Sequence, residues 1–447
     1  MERSADWMSV PPPGGHKWHY GACHYGIDRC VIVVSLAVVT YSPRALDGVI
    51  GSLFKQLPAL LLVGPRASGK TTTAARHSAS VLRLDTDAEA QAFRADPDAA
   101  LRGLLEPVLI DEWQMVPGVL GAVKRAVNAR PDPGRFIITG SVRAELDSKW
   151  WPGTGRVTRL PMFGMTVREQ VGAIRGPSFV DRVASGAPLE PAPHTPDLRG
   201  YVDLIFQSGF PEPALRLNGA ARQRWLDSYL DHLLTRDVEL VDAGRDPVRL
   251  RRYVEAYTLN TAGVVDERTL FDAAGINRRT AAAYDRLLSS LFVTENLPAW
   301  TSNRLKRLVH GPKRHVVDPA IAGAALRLDT NGALRQGDLF SRLLETFVVA
   351  QIRAEVPVSE TRPRLYHVRQ QEGRLEVDLL IELGGGRLIA IEVKADAAPT
   401  VAAARHLVTL RDRFDNEFVA GIVLHTGPRT FSLSDRIVAA PISTLWS

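Results

Sequence analysis

The segment PALLLVGPRASGKTTTAAR, residues 58–76, constrains the fold of this 447-residue chain more than any other stretch. An apolar, strand-like run leads into Gly64, and the spacing G-x-x-x-x-G-K-T ends at Thr71, where helix-compatible residues begin. The glycines let backbone N–H groups turn inward around a phosphate, and the helix N-terminus adds partial positive charge. The sequence therefore predicts a phosphate-binding loop between a buried strand and a helix.

The ligands that this loop predicts are ATP and Mg²⁺. Lys70 is expected to reach the β- and γ-phosphates and to act in catalysis, and the Thr71 hydroxyl is expected to ligate Mg²⁺. The expected nucleotide contacts are Gly64, Pro65, Arg66, Ala67, Ser68, Gly69, Lys70, Thr71, Thr72 and Ser141.

Two further strand-like segments are expected to complete the site. In PVLIDEWQ, an apolar run ends in Asp111 and Glu112. We expect Asp111 to hold Mg²⁺ through water and Glu112 to activate the attacking water. An unrelated acid pair after a glycine-rich turn is the alternative, which the order of the two motifs disfavours. FIITGS, residues 136–141, predicts a γ-phosphate sensor at Thr139 or Ser141.

A ring-forming protein would also need an arginine that acts on the nucleotide of a neighbouring subunit. Arg143 and Arg156 are the candidates. Arginine is abundant in this chain, so an ordinary structural or surface role is the stronger interpretation for either residue alone. A homo-oligomer is an expectation that the sequence leaves open.

Composition narrows the class of protein. Hydrophobic residues make up 45% and charged residues 23% of the chain, as in globular domains, and the net charge of +6 is compatible with nucleic acid without requiring it. The two cysteines, Cys23 and Cys30, argue against a disulfide scaffold and for a reducing compartment. Three histidines lie nearby, although the cysteine spacing fits no standard zinc site: His16, His19 and His24.

The order of strand-like and helical runs predicts an α/β protein whose first sheet is parallel. The longest apolar run, CVIVVSLAVV, is too short to cross a membrane, so a cytoplasmic protein without a membrane partner is expected. The expected divisions are a poorly structured extension over 1–41, a P-loop ATPase domain over 42–220, a helical, winged-helix-like region over 221–334 and a small α/β domain over 335–447.

The middle region contains the pattern of a helix-turn-helix. A short helical run, a turn at 275–277 and a longer amphipathic run precede the strand-like LFVTENL. Arg278, Arg279 and Thr280 fall at the start of the second helix, where a reading helix would meet DNA. A helical connector that uses the same packing motif is the alternative, and DNA is therefore an open partner.

The C-terminal segment EVDLLIELGGGRLIAIEVK predicts a β-hairpin around three glycines. If pairing is symmetric about Gly385, Asp378 lies opposite Glu392, and Glu376 lies opposite Lys394 in a favourable salt pair. Two carboxylates directly opposite each other destabilise a sheet. A divalent cation between them would offset the repulsion, and so would solvent on an exposed face.

This hairpin resembles the core of the PD-(D/E)XK phosphodiesterase superfamily. Asp378 matches its strand-borne Asp, Glu392-Val393-Lys394 its acid-x-Lys, and Glu345 in LLETFV its helical acid. The resemblance implies that Glu345, Asp378 and Glu392 are metal ligands. It also implies a catalytic Lys394 that orients water or stabilises developing negative charge.

The chain as a whole, over about residues 42–445, resembles the prokaryotic AAA-type ATPases that carry a C-terminal domain of unknown function (the AAA_14/DUF4143 group). The resemblance rests on LLVGPRASGKTTTA, VLIDEWQ, FIITGS, SGFPEPALR and the C-terminal hairpin. It implies ATP binding, ATP hydrolysis and a nuclease-like C-terminal fold. Two functions stay open. One is an ATPase coupled to a DNA-acting domain, and the other is a nucleotide-regulated protein whose inactive nuclease-like fold binds a partner.

Overall fold

The phosphate-loop strand lies inside a five-stranded parallel sheet of order β2-β3-β4-β1-β5. The strands are β1 (Ala59–Val63), β2 (Ser80–Arg83), β3 (Val108–Asp111), β4 (Phe136–Gly140) and β5 (Thr158–Pro161). The three central strands are apolar and fully buried, as expected when helices cover both faces. The accompanying helices are α1 (Leu46–Phe54), α2 (Lys70–Ala75), α3 (Asp87–Ala95), α4 (Pro97–Leu101) and α5 (Val119–Ala129).

This computed structural model describes residues 41–143, 155–238, 246–302, 311–370 and 375–447. The predicted extension over 1–41 therefore falls almost wholly outside the described residues, together with both cysteines and the three neighbouring histidines. Among the helices that are described, each is too short or too polar to cross a bilayer.

A helical region follows the first sheet. Its helices are α6 (Val167–Gln170), α7 (Phe179–Ala184), α8 (Leu198–Gln207), α9 (Pro211–Leu215), α10 (Gly219–His232), α11 (Pro247–Leu259), α12 (Glu267–Ala274), α13 (Arg278–Ser290), α14 (Ala320–Leu326) and α15 (Thr330–Leu334). A short π-helical turn, Leu233–Asp237, continues α10. Strands β6 (Thr294–Leu297) and β7 (Lys313–Val316) form a separate antiparallel pair after α13.

The predicted turn between α12 and α13 is present. Gly275 ends α12 with a left-handed φ of 65°, which glycine adopts without strain. The Asn277 side chain then caps α13 by accepting a hydrogen bond of 2.9 Å from the backbone N–H of Thr280. A helix, a turn, a helix and a two-stranded sheet therefore follow in the order that the sequence indicates.

The C-terminal region is built on a mixed six-stranded sheet of order β12-β13-β11-β10-β9-β8. Its strands are β8 (Arg364–Gln370), β9 (Leu375–Glu382), β10 (Leu388–Lys394), β11 (Phe418–His425), β12 (Phe431–Ser434) and β13 (Ile437–Pro441). Helix α16 (Gly337–Glu355) precedes this sheet, and α17 (Arg405–Arg413) follows β10. The apolar residues of the central strands pack against both helices.

The register of the β9–β10 hairpin agrees with the sequence analysis. Leu388 pairs with Glu382 and Ile391 with Leu379, so the pairing is symmetric about Gly385, whose φ is 78°. Regular pairing ends at Ile391 and Leu379, because the N–H of Val393 on β10 donates to the Asp378 side chain rather than to the backbone of β9.

The predicted salt pair between Glu376 and Lys394 is wrong. Lys394 instead binds Glu392 on its own strand, with 3.1 Å between Nζ and Oε2. Glu376 faces Arg369 on β8. Regular backbone pairing of the two strands stops at Ile391 and Leu379, so Asp378 and Glu392 lie one position beyond the last regular pair.

One buried apolar cluster joins residues of the helical region to the C-terminal sheet, and residues 41–447 form one compact unit. Tyr201 and Ile205 on α8 pack in the same buried cluster as Phe347 on α16 and Ile391 on β10. The boundary at residue 220, a prediction from the sequence, therefore separates segments that share a buried apolar cluster.

Asp181 on α7 ties this helix to the loop that follows α16. Its carboxylate accepts hydrogen bonds from the hydroxyls of Ser178 (2.7 Å), Ser359 (2.6 Å) and Thr361 (2.7 Å). It also accepts from the backbone N–H groups of Glu360 and Thr361, each at 3.0 Å. Burial opposes its charge, but the hydrogen bonds prevail and lower the pKa of Asp181 to about 2.

We expect Asp181→Ala to lower the free energy of unfolding by roughly 2 kcal/mol, because hydrogen bonds to a charged acceptor are lost. The folded pKa lies below the unfolded value of 3.8, so the carboxylate stabilises the protein fully above about pH 4. This contribution is lost as the pH falls toward 2. Denaturant unfolding of wild type and Asp181→Asn between pH 3 and 7 should show their difference shrinking below pH 4. A constant difference, or an equal effect of exposed Asp132→Ala, would contradict the assignment.

Candidate functional site

The phosphate-binding loop has the backbone shape that the motif predicts. A Cβ on Gly64 would lie 1.9 Å from the carbonyl oxygen of Met162, so only glycine fits there. Ala67 and Gly69 have φ values of 59° and 92°, which reverse the chain before α2 begins at Lys70. The loop is therefore shaped by one close backbone approach and two left-handed residues.

The Lys70 side chain lies within the loop. It is buried, and its Nζ donates hydrogen bonds to the carbonyl oxygens of Gly64 (3.0 Å) and Pro65 (2.7 Å). Burial lowers the pKa of Lys70 to about 8, and the negative charges of Glu112 and Asp111 partly oppose this shift. The ammonium group is thus placed among the loop carbonyls, near the acids at the end of β3.

Asp111 is the central acceptor of the site. Because β4 lies between β1 and β3, the carboxyl ends of these strands meet beside the loop. The Thr71 hydroxyl donates to Asp111 Oδ1 at 2.8 Å, and the Thr139 hydroxyl at the end of β4 donates to the same oxygen. Burial raises the pKa of Asp111, while these two hydrogen bonds act to lower it. Thr71 and Asp111 are therefore adjacent, as a shared Mg²⁺ site requires.

Glu112 is held by Thr139 on β4 and by Ser141, which follows that strand. It has a left-handed φ of 55°, uncommon for a residue with a side chain, and its N–H donates to Thr139 Oγ1 at 3.3 Å. The Ser141 hydroxyl lies 3.0 Å from Oε1 and 2.9 Å from Oε2 of Glu112. Gln114 also donates to this carboxylate. Thr139 thus contacts Asp111, and Ser141 contacts Glu112, so each candidate sensor residue has its own acidic partner.

The other predicted loop residues differ in exposure. Ser68 is fully buried and its Oγ has no hydrogen-bond partner, whereas Ala67 and Thr72 are exposed at the loop and the first turn of α2. Arg66 is half-buried, and its carbonyl oxygen accepts a 3.4 Å hydrogen bond from Tyr229 on α10. The loop thus contacts the helical region directly.

The two candidate ring arginines make contacts within their own chain. Arg143 forms an ion pair with Glu295 on β6, and its guanidinium lies 4.4 Å above the ring of Phe292. Arg156 is exposed and donates a 2.5 Å hydrogen bond to Asn128 on α5. These contacts favour the structural interpretation of Arg143.

Arg44 braces the loop and was not found from the sequence. It is buried; Nη1 donates to the carbonyl of Ser68 at 2.7 Å and Nη2 to that of Phe163 at 2.8 Å. Its Nε binds Glu169 at 3.0 Å. Arg44 lies two residues before α1, and its sequence context does not indicate a role at the loop, because its partners lie far along the chain.

A second cluster of charges lies where strands β9 and β10 meet helix α16. Asp378 on β9, Glu392 on β10 and Glu345 on α16 converge there, as the resemblance implies. Asp378 Oδ2 accepts a 3.0 Å hydrogen bond from the backbone N–H of Val393, where regular pairing ends. Lys394 binds Glu392, and its side chain is 41% exposed.

An unpredicted residue, Lys313 on β7, enters this cluster. Its Nζ lies 2.5 Å from Glu345 Oε1 and 3.0 Å from Asp378 Oδ1, and its side chain is only 2% exposed. The strand within GPKRHVV is polar at three of its four positions, so its burial follows from the fold, and nothing in the sequence indicated an internal partner for Lys313.

The pKa values in this cluster follow burial and the mutual charges. Burial and then repulsion from Asp378 raise the pKa of both Glu345 and Glu392. Burial opposes the charge of Asp378, but Lys313 prevails and lowers the pKa of Asp378. Burial likewise opposes the charge of Lys313, yet Asp378 and Glu345 raise its pKa. The strongest pairing therefore joins Lys313 to Asp378 and Glu345.

The cluster does not fit a divalent cation in this arrangement. Among the described residues, no three His, Cys, Asp or Glu side chains are placed to hold a metal ion together. Glu392 Oε1 is buried without a hydrogen-bond partner, and His406 Nδ1 lies 3.7 Å away, so one acceptor there has spare capacity. The space between Glu345 and Asp378, however, holds the ammonium of Lys313.

Three family descriptions match successive parts of the chain. Residues 56–171 match an AAA domain, AAA_14. Residues 198–332 match the domain of unknown function DUF8612, and residues 340–445 match the domain of unknown function DUF4143. The first match covers the loop, Asp111, Glu112 and β4.

The similar proteins and solved structures give less information about function than the family descriptions do. Uncharacterized proteins of Mycobacterium bovis and Mycobacterium tuberculosis are each 27% identical over 446 residues, which is 98% of this chain and 91% of theirs. A Walker-type ATPase of Pyrococcus abyssi has a TM-score of 0.40 and 15% identity over 63% of this chain and 94% of its own, a likeness too weak to support an argument. From the site geometry and the AAA match, the chain contains an AAA-type P-loop ATPase domain.

Proposed function

We propose that this protein is a Mg²⁺-dependent ATP hydrolase whose nucleotide state controls its C-terminal domain. The observation that carries the proposal is the joint hydrogen bonding of Asp111 by Thr71 and Thr139. It brings the start of α2 and the ends of two strands to one point, where a bound Mg²⁺ would contact the nucleotide. Thr71 and Asp111 would hold Mg²⁺ there, and the ion would supply positive charge to the β- and γ-phosphates.

The chain's own residues have separate roles in this proposal. Lys70 exchanges its two carbonyl acceptors for phosphate oxygens, which are stronger acceptors because they are charged. Thr71 and Asp111 orient Mg²⁺. Glu112 orients and deprotonates the attacking water, and Ser141 keeps that carboxylate positioned until the γ-phosphate competes for the hydroxyl.

A continuous series of contacts supports coupling to the C-terminal domain. Arg143 lies two residues after Ser141. It donates its backbone N–H to Ser290 at the end of α13 and pairs its side chain with Glu295. Glu295 lies on β6, which pairs with β7, and β7 carries Lys313 into the C-terminal acid cluster. A change at the nucleotide can thus reach the cluster through the β6–β7 pair.

The C-terminal domain has two candidate activities. A PD-(D/E)XK-like nuclease would use Glu345, Asp378 and Glu392 as metal ligands with Lys394 as the catalytic lysine. A non-cleaving domain that binds a partner is the alternative. The position of Lys313 between two of the three acids favours the second activity for the conformation described.

DNA is the partner that the winged-helix interpretation of α12, α13, β6 and β7 suggests. Arg278 and Arg279 are exposed at the N-terminus of α13, as phosphate or base contacts would require. Strand β7 is buried along its whole length, so it is unavailable as a free wing. DNA contact would therefore depend on the helix more than on the strands.

Lys70→Ala is expected to reduce ATP turnover by roughly 10²-fold or more, because a preorganised positive charge on the transferred phosphoryl group is lost. The measurement is steady-state phosphate release with Mg²⁺. Lys55→Ala, which removes an exposed lysine, is the matched control and should keep the wild-type rate. Undiminished turnover by Lys70→Ala would refute the assignment.

Glu112→Gln is expected to keep ATP binding and to lower turnover by about 10²- to 10⁴-fold, because glutamine cannot accept the proton of the attacking water. Equilibrium binding of a fluorescent ATP analogue and single-turnover hydrolysis separate the two effects. A variant that hydrolyses ATP normally would show that Glu112 is not the base.

If α13 contacts duplex DNA, the double variant Arg278→Ala/Arg279→Ala should bind more weakly. Its slope of log K against log salt concentration should fall in magnitude by about 2, one unit for each lost phosphate contact. Arg249→Ala/Arg251→Ala on α11 removes the same charge from another exposed site and is the control. Equal losses in both variants would indicate general electrostatic attraction rather than contact through α13.

A further inference from the structure

We propose that Lys313 is a built-in cation that closes the C-terminal acid cluster to divalent metal ions. The cluster would bind Mg²⁺ or Mn²⁺ only when strand β7 leaves its position. This inference rests on the proposed function in one respect, namely that the cluster is a metal site when open. It does not depend on ATP hydrolysis, so the two can fail separately.

The first argument is exclusion by distance. Lys313 Nζ is within hydrogen-bond distance of an oxygen of Glu345 (2.5 Å) and of an oxygen of Asp378 (3.0 Å). Mg²⁺ binds carboxylate oxygens at about 2.0–2.1 Å and Ca²⁺ at about 2.3–2.6 Å. An ion bound to the same two oxygens would overlap the ammonium and be repelled by its charge. Lys313 and a bridging metal ion are therefore mutually exclusive.

The second argument concerns what would release Lys313. Its side chain is 2% exposed, so the ammonium cannot turn into solvent while β7 stays in place. The strand is held by pairing with β6, by the bridge between Arg314 and Gly263, and by a 3.2 Å contact between His315 Nδ1 and Thr346 Oγ1. Opening of the cluster thus requires displacement of the strand rather than a rotamer change.

The third argument is the contrast between the two lysines of the cluster. Lys394 lies on the same strand as Glu392, with a side chain that is 41% exposed. Lys313 comes from a different region and joins two separate elements, α16 and β9. Glu392 Oε1 meanwhile has no hydrogen-bond partner, so the cluster keeps an acceptor that a metal ion could use once Lys313 has left.

A purely structural ion cluster is the simpler interpretation, and the two differ in what removal of Lys313 does. If the lysine only stabilises the fold, its loss leaves buried acids that take up protons, without acquiring a metal site. If it occupies a metal position, its loss creates a site for a divalent cation.

The test uses the full-length chain without nucleotide. Wild type, Lys313→Met and Lys394→Met are compared for Mn²⁺ stoichiometry by calorimetry and for the change in melting temperature on adding Mg²⁺ or Mn²⁺. Lys313→Met removes the ammonium but keeps an unbranched side chain. Lys394→Met removes the other lysine of the cluster. Any ion bound at Asp111 is common to all three proteins and cancels in the comparison.

The expected result is that Lys313→Met binds one more Mn²⁺ per chain than wild type or Lys394→Met. At a hundredfold excess over the dissociation constant, metal should raise the melting temperature of Lys313→Met by about 3 °C more than that of wild type. Equal metal binding by wild type and Lys313→Met would overturn the proposal, and so would a folded Lys313→Met that gains no ion.

A measurement on the wild type keeps the proposal testable if Lys313→Met does not fold. Amine labelling mapped by mass spectrometry compares Lys313 with exposed Lys55. Lys313 should stay protected at millimolar Mn²⁺, because the ion cannot compete while β7 is in place. If calorimetry shows that wild type binds one Mn²⁺ more than Asp378→Asn while Lys313 stays protected, the ion and the ammonium occupy the cluster together, and the proposal is overturned.

Discussion

The hydrogen bonds to Asp111 are the contacts on which the nucleotide site depends. This carboxylate ends β3, and it is reached by a hydroxyl from the first turn of α2 and by another from the end of β4. The strand order makes the meeting possible, since β4 separates the loop strand from the acidic strand. Lys70 and Glu112 lie near Asp111, and Ser141 binds Glu112.

In the C-terminal domain, the buried carboxylates need a partner that offsets their charge. Removing carboxylates from water is costly unless they are paired, and like charges in one cluster add repulsion. Lys313 offsets both effects for Glu345 and Asp378, and it does so from another region of the chain. A cluster with the composition of a metal site can therefore be stabilised by an internal ammonium, which in our proposal excludes the metal ion.

Local patterns predicted the parts of the structure that depend on neighbouring residues. The loop spacing predicted the turn at Gly64 and Gly69, and alternation of side chains predicted the hairpin register about Gly385. The same reasoning placed Glu376 opposite Lys394, which was wrong. It assumed that the strands stay paired to their ends, whereas the Asp378 side chain takes the Val393 N–H.

Residues with distant partners gave no comparable signal. Arg44 binds the carbonyls of Ser68 and Phe163, and Asp181 binds the segment around Ser359. The sequence by itself determined the phosphate-binding loop and the acidic strand, because residue type and short spacing decide these features. For the C-terminal cluster, the hairpin pattern indicated Asp378 and Glu392, and Glu345 was implied only by the family resemblance. Only the tertiary structure decided which cation those acids hold, because Lys313 reaches them through folding of β7 against α16 and β9, and no local pattern encodes that contact.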